Sequence, residues 1–257
     1  MNFIDTHTHL FLPEFHSDLP ETLQRAVSVG ISKMLLPNVD WETVSPMLSI
    51  CKDYPGICYP MIGLHPTSIG SDYRFQLDRL YDLIHTSRFI AIGEIGIDLY
   101  WDSTYLKEQQ EALDIQIDWA VDFSLPLVIH SRQSFDEIFE IVRTKRNYHR
   151  LTGVFHSFAG TLEQAFTVID LGFMLGINGI VTFKNSGLFE VIKEIPLTKL
   201  VLETDSPYLA PVPYRGKRNE SSYIPLIAKK IAEIKEIDVD DVAITTTTNA
   251  NLLFNLS

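Results

Sequence analysis

Cysteine is scarce: Cys51 and Cys58 are the only two among 257 residues, which argues against a disulfide framework and leaves both thiols as structural side chains. Basic residues are also few. Twenty-one Lys and Arg against 33 Asp and Glu leave a formal net charge of −12, which argues against a broad electrostatic grip on nucleic acid. Long apolar runs are missing as well. The longest uncharged apolar stretch, 171–183, is interrupted by Gly and Asn and falls short of the roughly 20 residues that a membrane span needs. No secretory leader, linker, low-complexity tract or internal repeat is visible, so the expectation is one cytoplasmic, monomeric domain over residues 1–257 with no membrane association.

What the chain does contain is rhythm. It is 46% hydrophobic, enough for a large core, and short β-branched runs alternate with stretches of helical length. The runs are 3–6, 31–36, 58–63, 89–93, 127–129, 153–155, 172–177 and 200–203. Between them lie segments such as 104–123, which opens on a Ser103/Thr104 cap signal and carries Leu106, Leu113, Ile117 and Ala120 at helical spacing, and 134–144. Helix-like stretches at 223–235 and 239–247 follow the last run, and 248–254 closes the chain. Strand and helix alternating eight times predicts an α/β fold with parallel strands closed into a (β/α)8 TIM barrel.

In such a barrel the active site collects at the C-terminal ends of the strands. The first run ends in His7-Thr8-His9, whose imidazoles share a strand face because side chains alternate with period two. The other strand ends supply His65, Glu94, His130, His156 and Asp205. Any one of these alone reads as a satisfied core residue; their joint placement points to a site. His16, His85 and His149 fall on surface or helix positions. Four imidazoles (His7, His9, His130, His156) and two carboxylates (Glu94, Asp205) exceed the needs of one divalent ion, so a shared carboxylate is expected, and Glu94, flanked by Gly93 and Gly96, is the natural bridge. Asp98 either supports a ligand from behind or caps the next helix, and the structural role is favoured.

The segments Asp5-Thr6-His7-Thr8-His9, Gly63-Leu64-His65-Pro66, Gly93-Glu94-Ile95-Gly96-Ile97-Asp98, Pro126 to Arg132, Phe155 to Gly160 and Leu202 to Tyr208 together resemble the TatD family of metal-dependent hydrolases. The likeness runs over essentially the whole chain, through Arg215-Gly216-Lys217-Arg218-Asn219-Glu220 and Asn249 to Phe254. It implies an amidohydrolase-like TIM barrel with two divalent ions (Mg, Mn or Zn) and a DNase or exonuclease activity. It also implies that His7, His9, Glu94 and Asp205 hold one ion, and Glu94, His130 and His156 the other. Ser221 departs from the pattern, where Pro is usual, and puts the shape of that loop in question.

Two ions can acidify a water and stabilise entering and leaving oxygens, which suits phosphodiester hydrolysis with Asp205 taking or relaying the proton. Asp205, Glu94 and His65 are thus the expected catalytic residues. His65 and Arg132 are candidates to hold phosphate, with a structural ion pair as the alternative for Arg132. Glu203 either orients a ligand imidazole from behind or pairs with a buried cation. Arg215, Lys217 and Arg218 form the local basic exception that could seat DNA, or simply a solvated face, and Tyr208 and Trp101 either stack on bases or pack. Lys184 and Tyr214 have no assignment. Three readings compete: a DNase acting 3′-to-5′ on single-stranded ends, a small-molecule amidohydrolase or phosphoesterase on the same scaffold, and a metal-holding protein without turnover.

Overall fold

The computed structural model describes residues 1–101, 103–145 and 148–256. Eight parallel strands, β1 (Phe3–Asp5), β2 (Ile31–Pro37), β3 (Cys58–Met61), β4 (Ile92–Asp98), β5 (Leu127–Arg132), β6 (Gly153–Phe155), β7 (Phe173–Ile177) and β8 (Leu200–Leu202), alternate with α1 (Leu19–Ser28), α2 (Trp41–Asp53), α3 (Tyr73–Ile84), α4 (Leu106–Phe123), α5 (Phe135–Thr144), α6 (Leu162–Asp170), α7 (Leu188–Glu194) and α8 (Ile224–Lys235), and α9 (Val239–Phe254) follows. Hydrogen bonding runs continuously through β1–β2–β3 and through β4 to β8. Two seams close the ring: the Gly93 N–H donates to Ile62 O at 2.8 Å, and the Thr6 N–H to Leu202 O at 3.0 Å. Parallel bridges at Ile62/Ile92 and Thr8/Ser206 reinforce them. The alternation read from the sequence is therefore the barrel it implied.

Three boundaries stand out against expectation. The fourth strand was expected at 89–93 but spans Ile92–Asp98, because Gly93 and Gly96 lie inside it. They are glycines because β5 leaves no room: a Cβ on Gly96, whose φ is +147°, would meet His130 O at 2.0 Å. The C-terminal segment, expected as a helix near 239–247 and a closing stretch, is one uninterrupted helix, α9. Its start is capped by Asp238, whose side chain accepts from the Asp240 N–H. The 104–123 segment begins slightly late, at Leu106, without a side-chain cap from Tyr105.

Period-two alternation builds the interior in layers. Ile4, Leu35, Met61, Ala91, Val128, Val154 and Val201 form an apolar floor inside the barrel, on which Ala250, Phe254 and Leu256 of the C-terminal segment pack. Two residues further along the same strand faces come His130, His156 and Glu203, lifted one layer above Val128, Val154 and Val201. Burying the Phe254 ring there contributes roughly 2–3 kcal/mol and seals the end of the barrel opposite the functional residues. Between strands and helices a second, larger apolar cluster includes Phe3, Met34, Ile92, Ile117, Phe155 and Ile231. Among the described residues, no helix is long and apolar enough to cross a membrane.

Candidate metal centre

His7 and His9 leave β1 into the barrel mouth with their Nε2 atoms 3.1 Å apart. Asp205, on the loop after β8, is fixed beside them: its N–H donates to His7 O at 2.9 Å, and its φ of +58° holds a non-glycine residue in the left-handed region, a strain that persists only where surrounding contacts enforce it. Its Oδ1 lies 3.5 Å from His9 Nε2 and 3.9 Å from His7 Nε2. Below them, the fully buried Asp5 carboxylate accepts from the backbone N–H groups of His7 (3.3 Å) and Thr204 (2.9 Å) and from the hydroxyls of Thr204 and Ser221 (2.6 Å each). That clamp ties the end of β1 to the end of β8. Ser221, the departure noted in the sequence, completes it.

Glu94 stands where the β4–β5 register slips between Gly93 and Ile95. One extra residue in a strand is left out of the ladder and its side chain is re-aimed, here into the barrel. The carboxylate faces both ways. Its Oε2 lies 3.0 Å from His7 Nε2 and 3.7 Å from His9 Nε2. Its Oε1 lies 2.8 Å from His130 Nδ1, 3.0 Å from His156 Nε2 and 3.2 Å from His65 Nε2.

These atoms fit a metal ion. Three groups have donor atoms within 4.8 Å of one another: His7, His9 and Asp205; His7, Glu94 and His156; and His65, Glu94 and His130. Ions bound at about 2.1 Å by two imidazoles hold the two nitrogens about 3–3.5 Å apart, the separation His7 and His9 already show. Behind two of the imidazoles stand further carboxylates. Asp98 Oδ2 is 2.9 Å from His130 Nε2, and Glu203 Oε1 is 3.2 Å from His156 Nδ1 in an ion-pair contact without hydrogen-bond alignment. Glu203 also accepts from the Ser157 N–H, and Gly176 on β7 makes room for it, since a Cβ there would lie 2.3 Å from Glu203 Oε2. Among the described residues, His7 and His9 have no such partner behind Nδ1.

Electrostatics follow from this crowding. Burial pushes the Glu94 carboxyl up, but His156, His65, His7 and His130 outweigh it and hold the group well below the usual carboxylate range. Burial likewise opposes ionisation of Asp205, and the hydrogen bond from His9 with the His156 and His7 rings brings it below its ordinary value. Burial lowers His7 and His65, keeping them neutral ligands. His130 and His156 go the other way: burial lowers them, but Asp98 and Glu94 raise the first, and Glu94 and Glu203 the second. Where so many carboxylates converge, positive charge is required, as protons on imidazole or as metal.

The centre opens into a cavity of about 460 Å³ lined by His65, Arg132, Trp101, Tyr208 and Leu209 as well as the metal-binding side chains. The structure sorts the remaining sequence candidates. Arg132 lies at the mouth and forms no ion pair among the described residues; its guanidinium stacks 3.8 Å from the Tyr100 ring centroid and 5.2 Å from that of Trp101. Trp101 and Tyr208 are exposed at the rim. His65 is brought against Glu94 rather than left apart at the mouth, with Nδ1 2.6 Å from Thr67 Oγ1. Lys217 is exposed and does not line the cavity, and Arg218 is turned away, its guanidinium held by Asp18 at 2.7 Å and by the Glu14 carbonyl at 2.6 Å. Arg215 faces a neighbouring groove. Asp98, read mainly as structural, does both tasks: Oδ1 accepts from the Tyr100 and Trp101 N–H groups while Oδ2 holds His130. Asp5 was missed; only its place two residues before His7 hinted at it.

Comparison with known proteins agrees with this geometry. The family model described as TatD related DNase matches residues 4–255. An uncharacterized metal-dependent hydrolase of Bacillus subtilis, YabD, is 35% identical over 254 residues, covering 98% of this chain and 99% of its own. The crystal structure of YjjV, a TatD homolog from Escherichia coli, superposes with a TM-score of 0.92 at 31% identity over 98% of both chains. A TatD family hydrolase from Entamoeba histolytica shares the fold, with a TM-score of 0.87 at 23% identity over 100% of this chain and 99% of its own.

Proposed function

The chain belongs to the TatD-related DNase family of metal-dependent hydrolases, and on that premise we propose that it hydrolyses phosphodiester bonds of DNA, as a 3′-to-5′ exonuclease on single-stranded ends, using two divalent ions such as Mg, Mn or Zn. The observation that carries this reading is the division of Glu94: one carboxylate oxygen meets His7 and His9, the other His130, His156 and His65. A carboxylate shared in this way joins two adjacent cation positions.

When bound, such a pair acidifies a water and neutralises charge on the phosphoryl oxygens during in-line displacement. The chain's residues supply the rest. Asp205, ionised and at the edge of the cluster, accepts the proton of the attacking water. His65 steadies Glu94 and borders the space for a phosphoryl oxygen. Arg132, held flat by Tyr100, presents N–H donors at the mouth, and Trp101 and Tyr208 offer ring faces to an unpaired base.

The test is digestion of 3′- and 5′-labelled single-stranded DNA with Mg or Mn, against EDTA and D205N controls. Stepwise shortening from the 3′ end, absent in both controls, is the expected result. Intact DNA beside turnover of small esters or amides would move the substrate to a small molecule.

A further inference from the structure

A second groove opens beside the metal centre. It lies where the turn Gly179–Thr182, after β7, runs next to the loop after β8, the two joined by the Val212 N–H donating to Thr182 Oγ1 at 2.9 Å. Leu209 lines both this groove, of about 640 Å³, and the metal-centre cavity, so the two lie on either side of one side chain. That ridge is fixed: the Asn219 amide donates to Thr204 O at 2.8 Å and to Tyr208 O at 2.7 Å.

The charges in the groove have one sign. Lys184 and Arg215 line it, no carboxylate does, and neither cation forms an ion pair among the described residues. Arg218, three positions on, is by contrast tied to Asp18. Phe183 supports Arg215, whose guanidinium lies 4.6 Å from the ring centroid, and Asn185 and Ser186 add an amide and a hydroxyl. In a chain of net charge −12, two uncompensated cations with neutral polar groups beside a hydrolytic centre are an exception that a phosphate backbone would complement.

We infer that the Lys184–Arg215 groove binds backbone phosphates of the DNA strand next to the bond being cleaved. This rests on the DNase reading and deepens it. The metal centre acts on the scissile phosphate, while the groove grips neighbouring ones, so it governs affinity, length preference and salt dependence without entering the chemistry. A dinucleotide, with its single phosphodiester at the centre, has no second phosphate to place in the groove.

The experiment compares native metal-loaded protein with K184Q/R215Q on three substrates: a ten-nucleotide single strand, a thymidine dinucleotide and bis(4-nitrophenyl) phosphate. In the double variant KM for the ten-mer rises about tenfold, and its dependence on salt becomes shallower by about 1.4 in log–log slope, the share of two phosphate contacts on a single strand. Turnover of the dinucleotide and the aryl diester stays at the native level. A native preference for the ten-mer that survives in the variant overturns the groove assignment alone, as does an equal loss on all three substrates. Native protein that cleaves the aryl diester but leaves the ten-mer intact overturns the DNase reading, and the groove assignment with it.

Discussion

Asp98 Oδ2 stands 2.9 Å from His130 Nε2, on the opposite edge of the ring from the 2.8 Å contact between His130 Nδ1 and Glu94. The carboxylate fixes both the ring's rotation and which nitrogen faces Glu94 and would meet an ion there. Asp98→Ala should therefore weaken metal binding at the His130 position about 10–100-fold. His7 and His9, whose Nδ1 atoms have no hydrogen-bond partner among the described residues, should keep their affinity. Competition with a fluorescent chelator separates the two positions. Asp98→Asn is the control, since it keeps an oxygen for the Tyr100 and Trp101 N–H groups. Unchanged affinity in both variants would mean that packing alone orients the ring.

Asp5 makes a second prediction. Burial pushes its carboxyl up to about 7, against the four donors aimed at it from Ser221, Thr204 and His7. Asp5→Asn turns an NH2 group towards these N–H and O–H donors, of which the Thr204 hydroxyl can turn instead to His7 O at 3.4 Å, a loss of about 2 kcal/mol. For a domain of this size that is a drop in Tm of about 5 °C. Ser221→Ala removes one donor and should cost about 1 kcal/mol. Thermal unfolding of the two variants checks the order; equal Tm values for Asp5→Asn and the native protein would show that the clamp contributes nothing.

The ion pairs between α1 and the β8 loop predict a pH dependence. Hydrogen bonds from Arg218 and Arg25 hold the Asp18 carboxyl below its ordinary value. For Glu220 burial acts upward, but Arg25 and Ser222 bring it down. Both folded values are depressed, so their stabilisation is fully present above the ordinary carboxylate range, near pH 4, and is lost as pH falls through the folded values. The Tm gap between native protein and Arg218→Ala should thus narrow from about pH 6 to about pH 3. Asp18, Arg25 and Arg218 are partly exposed, so added salt should narrow it too. A gap constant across that range would contradict the assignment.

The reading from sequence succeeded where local periodicity carries three-dimensional information. His130 and His156 follow Val128 and Val154 by two residues, so each stands one layer above an apolar floor residue on the same strand face. It failed where the deciding partner is distant. Arg215, Lys217 and Arg218 read as one basic patch, but the chain turns at Gly216 with φ +83°, sending Arg218 to Asp18, two hundred positions away, and Arg215 to a groove shared with Lys184. The fourth strand read as ending at Gly93, because the close approach of β5 that requires glycine at 93 and 96 is not a local property. Asp98 read mainly as structural, with support of a ligand as the alternative, because its second oxygen's partner lies on the neighbouring strand.

The central claim is that Glu94 joins two metal positions into one centre. Its most direct test is elemental analysis after equilibrium dialysis of native protein and Glu94→Ala against manganese, with circular dichroism confirming that both are folded. The account predicts two ions per native chain and the loss of both together in the variant. One ion per native chain, or a variant that keeps an ion at native affinity, would contradict it.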